Sequence, residues 1–258
     1  MAEANPERRS RMKTAVRYVA EPKHVREVSL LGTANFEFWR RRLAQESLVP
    51  IERNGRARIL IMAAEMIYWG VRFTEVSFSV LVCRPENKNQ REAAFLVHAF
   101  NSCRLFAFCE RALFAAPYSH GDCRVLVSPS VSITVTLAGE KVLGADMQSG
   151  FPSSPRDPSR SGDDSWEGVV FLPANRRGRR AEGRVFFARV KGQTQTYSFV
   201  PSRDVVSITP STETEIFQAL LESQFAGEAW VVREDATHGK SRSYQRSEIF
   251  AERNPRQS

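Results

Sequence analysis

The sequence predicts an α+β protein, an antiparallel or mixed β-barrel or double sheet with about three packed helices. Three observations point there. Short segments that alternate apolar and polar residues recur along the chain, and a two-residue period is the mark of half-buried strands. Only three segments carry the longer period of an amphipathic helix. Strands and helices do not alternate regularly, which argues against a parallel, doubly wound sheet. The 258 residues, 42% apolar and 26% charged, suffice for a sizeable core in a single domain.

Residues 1–28 show neither period and read as a flexible basic arm. Asn35 is placed to cap a helix with Phe36, Trp39 and Leu43 on one face and Arg40, Arg41 and Arg42 on the wet side. Strands are expected over residues 58–62, 73–82 and 93–100. Ser102 then precedes a second helix over 104–114, which Pro117 ends, since proline has no N–H and biases its predecessor away from helix. Residues 123–128 and 131–137 follow as strands, the second an unbroken alternation of apolar and hydroxyl side chains. Residues 148–165, rich in proline and serine, read as a disordered loop. Further strands are expected over 166–172, 185–190, 194–200 and 205–209. Thr212-x-x-Glu215 is a capping box opening a third helix, with Ile216, Phe217, Leu220 and Leu221 as its buried stripe. A last strand over 228–233 completes a domain spanning residues 29–235, and 236–258 read as a polar tail.

The net charge is +8, and its surplus lies in residues 1–26 and 176–184. Charge in a terminal arm and an arginine turn differs from the aromatic-studded basic face of a nucleic-acid reader. Weak, nonspecific nucleic-acid contact through residues 1–28 and 176–184 is the most this distribution implies. The longest apolar stretch, residues 59–71, is interrupted by Glu65, so no membrane span or membrane partner is expected. The N-terminus lacks the form of a secretory signal, and a cytoplasmic location is expected. Cys83, Cys103, Cys109 and Cys123 show no Cys-x-x-Cys pair and read as reduced thiols. His24, His98, His120 and His238 have no metal-ligand spacing, and no glycine-rich phosphate loop or Gly-x-Ser-x-Gly turn is present. Neither a metal nor another cofactor is expected. Sequence leaves the oligomeric state open, a homo-oligomer included.

Two places could carry chemistry. On the strand over 73–82, Thr74, Val76, Phe78, Val80 and Val82 share one face, while Glu75 shares the other with Ser77 and Ser79. That second face looks either into water or into a polar cavity, where desolvation would raise the Glu75 pKa and suit it to acid–base work. After the second helix, Tyr118, Ser119 and His120 offer a phenol, a hydroxyl and an imidazole, with Arg111 nearby to bind a carboxylate. The same residues also fit a helix end followed by a packed tyrosine and a surface histidine. If both places serve one cavity, Glu75 and Tyr118 should be neighbours in it.

Residues 39–62, then Phe73-Thr74-Glu75 and Arg111-x-Leu113-x-Ala115-x-Pro117, resemble the acetoacetate decarboxylase-like superfamily over roughly residues 36–137. The resemblance implies a cone-like barrel, with Glu75 at the family's cavity glutamate and Arg111 at its arginine. The departures are Tyr118 and Ser119, which stand where the Schiff-base lysine and its pKa-lowering neighbour would be, and Leu60 at another family carboxylate. The chain is thus similar to superfamily members that lack this lysine. A substitute would have to come from Lys13, Lys23, Lys88, Lys141, Lys191 or Lys240, none of them inside an apolar run. Lys240 would serve only if residues 236–244 folded back as a lid, and the segment reads instead as a solvated tail. The resemblance therefore implies a barrel that binds a small carboxylated or carbonyl compound. Catalysis, if any, would be of lyase or hydratase type through Glu75 and Tyr118 without an imine, with Arg111, Ser119 and His120 binding substrate. The alternative is a binding module without turnover.

Overall fold

The computed structural model describes residues 16–84, 93–148, 163–174 and 183–250. Residues 1–15 of the arm, 149–162 of the predicted loop, the arginine turn at 176–180 and residues 251–258 lie outside the described residues. The first elements are β1 (Tyr18–Ala20), β2 (Val25–Asn35) and α1 (Phe36–Leu43). Asn35 caps α1, its Oδ1 accepting from the Phe38 N–H at 2.9 Å. Two short strands, β3 (Val49–Pro50) and β4 (Glu52–Arg53), lead into a long hairpin of β5 (Arg56–Tyr68) and β6 (Val71–Cys83). β7 (Ala93–Asn101) runs into α2 (Arg104–Phe114), and the chain returns through β8 (Tyr118–His120). A meander of β9 (Asp122–Leu126), β10 (Val131–Leu137) and β11 (Glu140–Met147) follows. Next come β12 (Asp163–Phe171), β13 (Arg184–Gln193), β14 (Gln195–Ser198), β15 (Val205–Ile208) and α3 (Ile216–Glu222). The last described elements are β16 (Ala226–Ser241), β17 (Tyr244–Gln245) and α4 (Arg246–Phe250).

The predicted α+β barrel forms. Seven strands close in the order β16-β2-β5-β6-β7-β12-β13, and β13 pairs back onto β16. All neighbours in this ring are antiparallel except β7 and β12. A second sheet, β15-β11-β10-β9, lies against the outside of the barrel. The main core fills the space between them. Val28 and Leu30 of β2, Ile59 and Ile61 of β5, and Val76, Phe78 and Val80 of β6 face Val125, Ile133, Val135 and Leu143 of the second sheet. Trp39 and Leu43 of α1 and Phe217 and Leu220 of α3 extend the same core. Because side chains alternate along a strand, an outer wall this apolar leaves the intervening residues to line the interior.

Several boundaries differ from the sequence reading. The folded chain starts before residue 29: Val25 is fully buried and pairs with Ala236. The segment read as arm alternates Val25, Glu27 and Ser29 toward the interior, and a charge among them disguises the strand. At the other end, residues 236–241 are the second half of β16 and not a tail, and Tyr244 onward forms β17 and α4. The loop read over 148–165 gives way to β12 at Asp163. α2 starts after Cys103; the Ser102 Oγ instead accepts from the Thr74 N–H at 2.8 Å, tying the helix start to β6. α3 starts after Glu215, so Thr212 does not cap it. β11 escapes the pattern because Val142, Leu143 and Ala145 are buried in succession on both faces.

The Phe217 ring joins α3 to the barrel wall, 5.6 Å from Phe78 and stacked on Phe100 at 5.7 Å. Phe217→Ala should lower unfolding stability by about 3–5 kcal/mol, read as a lower urea midpoint. A loss under about 1 kcal/mol would show that this junction does not hold the layers together.

Candidate functional site

The interior face of β6 carries Glu75, paired in register with Ala64 of β5 and Asn101 of β7. After α2, β8 aligns parallel to β7 with Tyr118 opposite Ala99, and this register brings the phenol to Glu75. The buried Tyr118 Oη donates to Glu75 Oε1 at 2.6 Å. The expectation that these two residues are neighbours is met.

Lys240 comes from the opposite wall. On β16 it pairs with Ala188 of β13, and its Nζ stands 4.8 Å from the ring centres of Phe114 and Phe186 and 5.5 Å from that of Tyr118. It forms an ion pair with Glu110 of α2. Three aromatic faces and a carboxylate surround the ammonium. The lysine that sequence reading left in a solvated tail therefore lies inside the barrel, beside the Tyr118 ring. Ala236, His238 and Lys240 turn inward with a two-residue period, but two of the three are polar. That alternation was the available signal, and it reads as tail only when strands are expected to turn apolar residues inward.

A second cluster adjoins the first. Glu27 Oε1 accepts from Arg233 Nη1 at 2.5 Å and from Ser29 Oγ at 3.0 Å, while its Oε2 lies 2.7 Å from His238 Nε2. Arg233 Nε also donates to Thr194 Oγ1 at 3.0 Å. Burial works to raise the Glu27 pKa, but Arg233, His238 and Ser29 together bring it down to about 2. Glu75 goes the other way. Removal from water raises its pKa first, repulsion from Glu110 adds to this, and Lys240, the Tyr118 hydrogen bond and His238 only partly oppose the rise. The Tyr118 phenol is pushed well up by burial and by the two neighbouring carboxylates. Glu75 is thus a carboxyl inclined to hold its proton, bonded to a phenol that does not ionise.

The remaining sequence candidates lie elsewhere. Arg111 follows Glu110 by one position, so a helical turn of about 100° carries it from the interior to the exposed face of α2. Ser119 faces away from Tyr118 by strand alternation, beside Phe100, and His120 is exposed. Leu60 packs with the apolar cluster of Leu81, Leu96 and Tyr118. Two clefts, of about 470 Å³ beside Pro210 and Glu215 and about 250 Å³ between Arg53 and Glu228, share no residue with the interior cluster.

The closed seven-stranded barrel flanked by a second sheet is similar in fold to solved structures of acetoacetate decarboxylase. No family model and no curated protein matches the sequence. Among solved structures, an acetoacetate decarboxylase aligns over 91% of this chain and 95% of its own, with a TM-score of 0.63 at 13% identity. The acetoacetate decarboxylase of Legionella pneumophila aligns over 95% and 98%, with a TM-score of 0.63 at 12% identity. The enduracididine biosynthesis enzyme MppR, in complex with pyruvate, aligns over 92% and 94%, with a TM-score of 0.56 at 12% identity. The resemblance read from residues 36–137 thus holds at the level of fold, across nearly the whole chain.

The two buried carboxylates should give opposite pH signatures. Glu27 is held below its ordinary 4.5, so its contribution to stability is complete above that value and is lost as pH falls towards about 2. The loss amounts to about 3 kcal/mol. Glu75 is held above 4.5, so its contribution is present below that value and is lost as pH rises. In thermal melts from acid to mildly alkaline pH, Glu27→Gln should destabilise at neutral pH and flatten the acid limb. Glu75→Gln should gain stability relative to wild type as pH rises. Parallel wild-type and Glu75→Gln curves would refute the assignment.

Proposed function

We propose that the barrel interior binds a small carboxylated or carbonyl compound, with Lys240 as its positive anchor and Glu75 with Tyr118 as the proton-handling pair. The observation that carries this reading is the 2.6 Å hydrogen bond from Tyr118 to a carboxyl of raised pKa, beside an ammonium boxed by aromatic rings. A protonated carboxyl can give a proton to a carbonyl or leaving oxygen, and once ionised can take one from an adjacent carbon. When the carboxylate takes a proton from carbon, Lys240 supplies the charge that stabilises the enolate oxygen formed. Glu110 holds that ammonium in the unliganded protein, so an incoming carboxylate takes the place of one already there. The pyruvate bound to MppR, a protein of like fold, supports the choice of a small oxo acid as first probe. Lyase or hydratase chemistry follows from these parts without a cofactor; without turnover, the same parts serve a binding module.

A second reading has one observation in its favour. Lys240 is an amine inside the barrel, and an amine can form an imine with a carbonyl compound. Its ion pair with Glu110 weighs against this, since a protonated amine has no lone pair for attack.

Titration of the full chain with pyruvate and with acetoacetate, followed by calorimetry, should show binding. Tyr118→Phe should weaken it by about 0.5–1.5 kcal/mol and Lys240→Met by about 1.5–3 kcal/mol. Binding unaffected by Lys240→Met would overturn the anchor. Borohydride reduction with either compound, read by intact mass, should leave the protein unmodified. A stable adduct on Lys240 would replace the proton-transfer reading with the imine.

A further inference from the structure

The tip of the β5–β6 hairpin is built against its own conformational preference. Trp69 and Gly70 form its two-residue turn with φ of 49° and 77°, the pattern that favours asparagine or glycine at both central positions. A bulky residue with positive φ is uncommon, yet Trp69 stands there with 83% of its surface exposed. Its ring stacks on Tyr68 at 4.9 Å, and Tyr68 in turn meets Phe106 of α2 at 6.3 Å, which seats the hairpin tip beside the helix.

The face of α2 turned away from the barrel is equally unusual. Phe106, Ala107, Glu110 and Phe114 are turned towards the protein, which leaves Leu105, Phe108 and Leu113 outward at 63%, 59% and 68% exposure. Arg104, Arg111 and Ala112 complete that exposed face, and no acidic residue lies on it. The helix's one carboxylate, Glu110, is directed inward to Lys240. On the hairpin, Glu65 lies 3.7 Å from Arg26 and 3.6 Å from Arg72, so its charge is offset there. Ile67 and Val71, on either side of the hairpin turn, are exposed as well.

We propose that this end, the Trp69 tip together with the outer face of α2, docks on an anionic lipid bilayer. Apolar side chains with tryptophan at the rim and arginines beside them match the boundary between acyl chains and charged headgroups. No helix among the described residues is long and apolar enough to cross a membrane, and the association proposed is a peripheral one through surface side chains. A symmetric contact of this face with a second copy would bury Arg104 and Arg111 among Leu105, Phe108 and Leu113 with no acid on the face to pair them.

The full chain should sediment with phosphatidylcholine vesicles that contain phosphatidylserine and not with phosphatidylcholine alone, and raised salt should weaken the association. Tryptophan emission should shift to the blue on binding, and the shift should vanish in Trp69→Ser. Arg104→Gln and Arg111→Gln should each lower affinity by roughly fivefold, and Trp69→Ser with Phe108→Ser by about tenfold or more. These side chains are exposed, so thermal melts of the variants should match wild type. Vesicle binding unchanged by Trp69→Ser/Phe108→Ser would overturn the proposal, because charge elsewhere would then account for it. Absence of binding to phosphatidylserine vesicles would also overturn it. So would self-association, or binding of homopolymeric RNA, that this double variant abolishes while vesicles are ignored.

Discussion

β16 closes the barrel, and most of the interior depends on how it does so. Its first half pairs with β2 and β14, and its second half pairs with β13. A strand bonded on both sides cannot slide, since a one-residue slip would turn its apolar set inside out. Trp230 and Val232 are thereby fixed in the main core, and Arg233, His238 and Lys240 in the interior. The Tyr118–Glu75 pair reaches the same space from the other wall, positioned by β8 on β7 and by α2. The interior cluster thus joins two distant parts of the sequence through ladder geometry.

The interior does not contribute to folding as the outer wall does. Bringing Glu27, Arg233, His238, Glu110 and Lys240 out of water is costly, and the pairs among them recover that cost only when every member is partnered. Well-packed apolar residues would serve stability at least as well. Stability resides instead in the layer between the barrel and the second sheet, where Phe78, Phe100 and Phe217 meet. With the two roles on opposite faces of the same strands, interior side chains can change while the apolar wall stays fixed.

The outer wall was legible in the sequence because its alternation is apolar against polar. The strands over 73–82 and 131–137 and the three helices were read on that basis, as was the neighbourhood of Glu75 and Tyr118. The other half of the site was not legible. Val25, Glu27 and Ser29 at one end, and Ala236, His238 and Lys240 at the other, alternate mostly polar against polar, and only closure of the barrel shows which set is inside. Arg111 was misplaced for a related reason. Proximity along a helix says nothing about its face, and Glu110, one residue earlier, occupies the position sought for it.

The register shift between Arg233 and Ala236 gives these residues their meaning. Before it, odd-numbered residues of β16 face inward, as Arg233 does opposite Glu27; after it, even-numbered ones do, as Ala236 does opposite Val25. The extra residue at Glu234–Asp235 therefore acts as a change of parity written into the chain. Were it removed, the ladder would remain available, but His238 and Lys240 would exchange places with Thr237 and Gly239. Both side chains would leave the interior without either being substituted. In this barrel the length of a single bulge specifies the interior cluster as strictly as the identity of its residues, and comparisons that align residues by type while ignoring such insertions will misplace Lys240.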